Sequence, residues 1–173
     1  MSGIRRLNHA VLFVSALEPA LEFYIETLGF RLVSREDRMN AAFLRAADSI
    51  NHHDLGLFGL GAGTPGPSRG HAGLYHLAWQ VDTIDQLAAV RGSLIEAGAI
   101  TGESSHGATL SVYGADLDGN QFEVQWMLPR RAWGEYEAKA IVEPLDLPSQ
   151  LAKWSGVGTA DELGMVPAAQ DRP

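Results

Sequence analysis

The sequence contains no cysteine. That excludes disulfides, thiolate metal sites and a cysteine nucleophile, and it suits a reducing, cytoplasmic setting. No apolar run approaches the roughly 18 residues needed to cross a bilayer. The opening MSGIRRLNHA has two arginines with no apolar stretch behind them, so no signal peptide is expected. Basic residues are in deficit too: 13 Lys and Arg against 21 Asp and Glu leave a net charge of −8 with no basic cluster to offset it. Nucleic acid is therefore an unsuitable partner, and nothing points to a membrane surface. What remains for chemistry is His, Asp, Glu, Tyr and Ser.

What is present is a repeat. LNHAVLFV (7–14) is a β-branched and aromatic run that reads as a strand. Ser15 with Glu18 has capping-box spacing, Leu17, Leu21, Tyr24 and Leu28 recur at helical spacing, and Gly29 supplies the stop. FRLVSRE, MNAAFLRA and HHDLGLFGL then read as three strands. The order returns with LYHLAWQV (74–81), a helix opened by Asp82 and Asp85 through Ile84, Leu87, Leu94 and Ile95, a stop at Gly98, and the strands AITGESS, ATLSVYGA and NQFEVQWML. The fold class is α+β, two βαβββ modules in tandem. One domain is expected over 1–130, with modules at 4–60 and 74–128 and a Gly/Pro/Ser linker at 60–73. The tail, 131–173, carries a short helix at 148–154 and a loose polar end.

The repeat serves as a ruler. His9 aligns with His76, and counting five residues from Asp48 and from Asp118 pairs His53 with Glu123. All four lie inside or at the mouth of a strand, and alternation puts His9 with Val11 and Phe13, and Glu123 with Gln125. Sheets curling toward each other would project the four into one concavity. A lone strand histidine is more often a hydrogen-bonded core or edge residue than a ligand. A glutamate between Phe122 and Val124, however, is costly to bury without a cation or a donor.

FYIETLGF after a histidine-bearing strand, and DLDGNQFEV closing the second module, resemble the vicinal oxygen chelate superfamily, which holds glyoxalases, bleomycin and fosfomycin resistance proteins and type I extradiol dioxygenases. The resemblance covers about residues 4–128. It implies a cupped, half-open barrel around a metal site, closest to the catechol 2,3-dioxygenases in a one-domain form. The implied ligands are His9, His76 and Glu123, binding Fe(II), with Mn(II) as the alternative. His53, followed by Asp54, takes the place of the family's proton-carrying histidine. Tyr113, ten residues before Glu123, and His106 of the His106-Gly107 pair match its substrate-side donors. The implied reaction is extradiol ring cleavage of a catechol by O₂. Familiar members have four modules, and the common DPDGN turn is DLDGN here.

Other branches stay open: a glyoxalase-like isomerase or lyase using Zn or Ni, with His53 as a fourth ligand; a fosfomycin-type transferase, which would need a cationic pocket; and a metal-free binding protein, against which the three ligands count. His52 is expected on the face opposite His53, and His71 is expected to be solvated in the linker. Trp79, Phe58 and Trp126 are expected in the core, with one or two walling an aromatic pocket. A homodimer is expected because a two-module chain leaves sheet edges to cover.

Overall fold

The computed structural model describes residues 3, 4, 6–68, 70 and 72–160; His71 and the chain end beyond residue 160 lie outside the described residues. Each predicted module is present. In the first, β1 (Ala10–Val14), α1 (Leu17–Glu22), β2 (Arg31–Glu36), β3 (Ala41–Arg45) and β4 (Leu55–Gly59) form a mixed sheet in the order β1-β4-β3-β2. In the second, β5 (Leu77–Val81), α2 (Ile84–Glu96), β6 (Ile100–Ser105), β7 (Thr109–Ala115) and β8 (Gln121–Met127) repeat it as β5-β8-β7-β6. The first and last strands of each module pair in parallel and the rest antiparallel. Both second strands carry a register shift at the same place, Leu32/Ser34 and Ile100/Gly102. The chain divides into two compact units, Met1–Arg69 with Leu117–Asn120, and Gly70–Asp116 with Gln121–Pro173.

Each sheet has one helix-covered face. Leu17, Ala20 and Leu21 of α1 are buried, as are Leu12, Val14, Leu44, Leu55 and Leu57 of the sheet it packs on. Ile84, Leu87 and Leu94 of α2 are fully buried, with Leu110, Val112 and Trp126 of the second sheet equally inaccessible. Alternation along the strands then leaves the other set of side chains on an open face. In the first unit that set is apolar: Val11, Phe13, Phe43 and Phe58, with the Phe43 and Phe13 rings set edge-on to Phe58 at 6.1 and 6.5 Å.

Both helices start one residue later than the sequence spacing suggests. Ala16, with no side-chain bond, is the N-cap of α1, so the Ser15–Glu18 capping box does not form. The Ser15 amide instead donates to the Asp118 carboxylate at 2.9 Å. Pro19 is tolerated because its missing N–H falls in the first turn, where no helical acceptor exists. At α2 the N-cap is Thr83, not Asp82: the Thr83 hydroxyl accepts from the Gln86 amide, and the Gln86 side chain accepts from Thr83 N. α1 runs on into a π-turn at Phe23–Thr27, a wider i→i+5 winding that buries Phe23 and Tyr24. Gly29 and Gly98 end the helices at φ +73 and +64, where a side chain would be strained.

After β8 the chain makes 3₁₀ turns at Arg130–Ala132 and Gly134–Glu137, passes β6 through a bridge between Ser105 and Glu143, and forms α3 (Leu147–Trp154), where the sequence places a helix at 148–154. The start of α2 holds the segment that follows. Asp85 accepts from the Ser155 hydroxyl at 2.6 Å and the Gly156 amide at 2.7 Å, and Asp82 accepts from the Thr159 and Ala160 amides at 2.7 Å. Trp154 meets Trp126 at 6.2 Å. No helix among the described residues is long and apolar enough to cross a membrane.

Two outcomes follow. Thr83→Ala removes one half of the capping box and should cost about 1 kcal/mol in urea unfolding. The Asp85 carboxyl sits below its ordinary range, first because Ser155 donates to its ionised form and then because Gly156 does. Its stabilisation of the tail is therefore complete above the ordinary carboxylate range and fades as pH falls through the lowered folded-state value. Amide exchange at Gly156, relative to Gly114 in the sheet, should accelerate in that acid window; unchanged relative protection would remove Asp85 as the anchor.

Candidate metal and proton-transfer site

The strand register decides which residues are equivalent. Ala10 pairs with Leu55, and Leu77 with Phe122, so the last strands are offset by 67 residues (122 − 55), the same as His76 from His9. The third strands are offset by 70, since Leu44 pairs with Leu55 where Gly114 pairs with Phe122. The turn before β4 is thus three residues longer than the turn before β8. Counting from Asp48 and Asp118 crosses that extra length. The equivalent of Glu123 is Gly56, not His53, and the equivalent of Tyr113 is Phe43.

In the second unit the open sheet face carries a polar cluster. Tyr113 of β7 lies opposite Glu123 of β8, which lies opposite Ala78 of β5. His76 stands one residue before β5, and its Nε2 is 3.1 Å from Glu123 Oε2. Glu123 is only 7% exposed, with Phe122 and Val124 buried on either side of it in sequence. Tyr113 Oη is 3.4 Å from Glu123 Oε1 and 2.7 Å from His106 Nε2. Ser104, buried on β6, places its hydroxyl 2.9 Å from the same Nε2 and 3.3 Å from Tyr113 Oη. The other nitrogen of His106, Nδ1, is 2.9 Å from the Ile141 carbonyl. A carbonyl only accepts, so His106 carries its hydrogen on Nδ1 and, when neutral, offers a lone pair on Nε2. Burial pushes the Tyr113 phenol up, and the neighbouring Glu123 charge acts the same way, so this group is a donor over the working range.

In the first unit the histidines gather just ahead of the strands. His9 precedes β1, and its Nδ1 is 2.9 Å from the Asn8 amide oxygen, which fixes the hydrogen on Nδ1 and leaves Nε2 free to bind. His53 lies in the longer turn, its ring 4.6 Å from His9 and 5.1 Å from Phe43. His52 does not lie on an opposite strand face. β4 begins only at Leu55, and within the turn the two Nδ1 atoms approach to 3.1 Å, one carrying the shared hydrogen. Burial lowers the His53 pKa, the nearby His9 and His52 lower it further, and Asp54 opposes them. Asp54 itself is buried and ties the turn together by accepting from the Ala46 amide, the Ser49 hydroxyl and the Asn51 side chain.

Does this donor set suit a divalent ion? Neutral imidazole and carboxylate are the ligands such ions favour. Adjacent donors about 2.1 Å from an octahedral ion stand about 3 Å apart, which is the separation of His76 Nε2 and Glu123 Oε2. The remaining nitrogen of His76, Nδ1, is buried without a hydrogen-bond partner. His76 and Glu123 fit a metal as a ligand pair. Among the described residues, no three His, Asp or Glu side chains are already grouped around one point.

Some of these contacts have weak sequence signals. Ser104 could have been picked out by alternation, two residues before His106, which directly follows β6. Asn8 is marked only by preceding His9. The Ile141 carbonyl has no side-chain signal at all. Trp126 is fully buried, with its indole donating to the Asp82 carbonyl, whereas Phe58 sits on the open face of the first sheet.

Over 130 residues the chain is 34% identical to biphenyl-2,3-diol 1,2-dioxygenase 3 of Rhodococcus globerulus, covering 72% of this chain and 65% of that one. It is 28% identical over 130 residues to the catechol-2,3-dioxygenase of Bacillus subtilis, covering 73% of this chain but 43% of that one. The chain therefore spans under half of one of these relatives and just under two thirds of the other. The solved structure of virulence protein STM3117 from Salmonella typhimurium matches with a TM-score of 0.52 and 28% identity, over 73% of this chain and 100% of that one. Residues 6–124 match the pattern of a single family. With two register-matched βαβββ sheets beneath that match, the chain belongs to the glyoxalase/bleomycin resistance protein/dioxygenase superfamily.

Proposed function

We propose that the chain is a metal-dependent extradiol dioxygenase that opens a catecholic ring with O₂, with His9, His76 and Glu123 as the ligands of Fe(II). The observation that carries this reading is the His76–Glu123 pair set beside the Tyr113–His106 hydrogen bond on one sheet face. Mn(II) would be held by the same donors. When bound, the metal supplies the redox coupling between catecholate and dioxygen and keeps positions open for both.

The remaining work falls to side chains. In neutral His9, Asn8 keeps the hydrogen on Nδ1 and the lone pair on Nε2, the nitrogen that would meet the metal. Glu123 contributes the one anionic ligand. Tyr113, kept protonated by burial, donates toward the substrate oxygen as negative charge develops there. His53, neutral at working pH, accepts and returns a proton. His106 has both ring nitrogens engaged, and on this reading it acts by aiming Tyr113.

The register weighs against the isomerase alternative. A four-ligand site would draw its fourth ligand from the first-module equivalent of Glu123. That position is Gly56, which has no side chain, and the neighbouring space holds Phe43 and Val11.

The test is oxygen uptake by protein reloaded anaerobically with Fe(II), across a panel of substituted catechols, with metal content measured on the same sample. Uptake matched by a yellow ring-opened product is expected. Bound metal with no uptake on any catechol, and turnover of a hemithioacetal with Zn or Ni, would overturn the dioxygenase reading. His9→Ala, His76→Ala and Glu123→Ala should each weaken metal retention at least about tenfold. His53→Ala should retain metal and lose turnover by about a hundredfold or more. A His53→Ala protein that sheds metal like the other three would make His53 a ligand instead.

A further inference from the structure

The hydrogen bonds around His106 contain one more group than they need. Its Nδ1 is committed to the Ile141 carbonyl, so the single in-plane lone pair on Nε2 takes one good hydrogen bond. Two hydroxyls stand ready to fill it, Tyr113 at 2.7 Å and Ser104 at 2.9 Å. The two hydroxyls are themselves 3.3 Å apart, and Tyr113 also reaches Glu123 Oε1 at 3.4 Å.

These four distances permit two arrangements. In one, Tyr113 donates to His106 and Ser104 donates to the Tyr113 oxygen. In the other, Ser104 donates to His106, and the Tyr113 hydrogen is released toward Glu123 and whatever is held beside it. Both leave every hydroxyl satisfied, so passing between them takes only rotation of two O–H bonds and exposes no buried polar group.

We propose that Ser104 is a positioning residue that releases the Tyr113 hydrogen from His106 toward the substrate, on a histidine whose tautomer is fixed by the C-terminal segment. That segment is tied down on both sides of the contact. Ser105 and Glu143 exchange backbone hydrogen bonds at 2.8 and 3.0 Å, and the Tyr136 ring packs over Gly107, where φ is +83 and a Cβ would meet the ring. Without Ser104, Nε2 can be satisfied only by Tyr113, and the phenol is locked away from the substrate. The proposal rests on the dioxygenase reading for Tyr113's target, but the hydrogen-bond pattern can be read without any turnover.

The first measurement is long-range ¹H–¹⁵N correlation on the metal-free full chain. His106 is expected as the Nδ1–H tautomer with Nε2 hydrogen-bonded. Ser104→Ala and Tyr113→Phe should each leave Nε2 bonded, because the other hydroxyl takes over. Only the double variant should show the resonance of a free acceptor nitrogen. An Nε2–H tautomer, or a single substitution that already frees Nε2, overturns the proposal. With the Fe(II)-loaded protein and a catechol, Ser104→Ala should lower kcat about tenfold with KM within about twofold, and Ser104→Thr should restore it. A Ser104→Ala enzyme as fast as the parent, in a background where Tyr113→Phe is slow, also overturns it. If no catechol is oxidised by the parent protein, the dioxygenase reading fails, while the nitrogen spectra still decide the network.

Discussion

A glutamate side chain pointing out of a β-sheet, with hardly any water around it, constrains the whole second unit. Glu123 is set in β8 between two residues whose side chains are sunk against α2, so the strand cannot roll to expose it without lifting Phe122 and Val124 from the core. Leaving such a carboxylate without a partner would cost about 3–5 kcal/mol. The chain meets that demand from both neighbouring strands, with His76 at the mouth of β5 and Tyr113 on β7. The same arrangement sets an imidazole nitrogen and a carboxylate oxygen side by side on the sheet face.

The two modules are built alike and have diverged by where side chains were placed on the open faces. Their sheets share strand order, pairing sense, register shifts and glycine-ended helices. At the row where the second module has Tyr113 and Glu123, the first has Phe43 and Gly56. A ring fills the space over the glycine, since an added Cβ there would already touch Val11 and Phe43. One sheet thereby presents apolar surface and the other presents donors and charge. The turn ahead of β4, three residues longer than its counterpart ahead of β8, holds His53 in the first module. Its turn is held by Asp54, which accepts from the Ala46 amide, the Ser49 hydroxyl and the Asn51 side chain.

The C-terminal segment belongs to the site as much as to the fold. Its Ile141 carbonyl settles the tautomer of His106, and its pairing with Ser105 holds that carbonyl in place. Further along, Asp82 and Asp85 at the head of α2 gather the amides of residues 156, 159 and 160. The backbone pairing of Glu143 with Ser105 fixes the chain two residues from Ile141, so the acceptor for His106 Nδ1 is held by main-chain hydrogen bonds.

The repeat, the strand and helix order, the glycine stops and the pairing of His9 with His76 were all legible in the sequence, because periodicity and turn chemistry are local properties. Glu123 was legible too, since a carboxylate between apolar neighbours in a strand breaks the expected pattern. Three things needed the tertiary structure. The equivalence of Glu123 with Gly56 depends on which strands pair, and counting along the chain passes over a turn whose extra length only the register reveals. The true N-caps, Ala16 and Thr83, depend on competition for backbone groups, and Ser15 loses its role because Asp118 takes its amide. The Ser104–His106–Ile141 arrangement joins residues 37 positions apart through a main-chain oxygen, a contact that no side-chain pattern can announce.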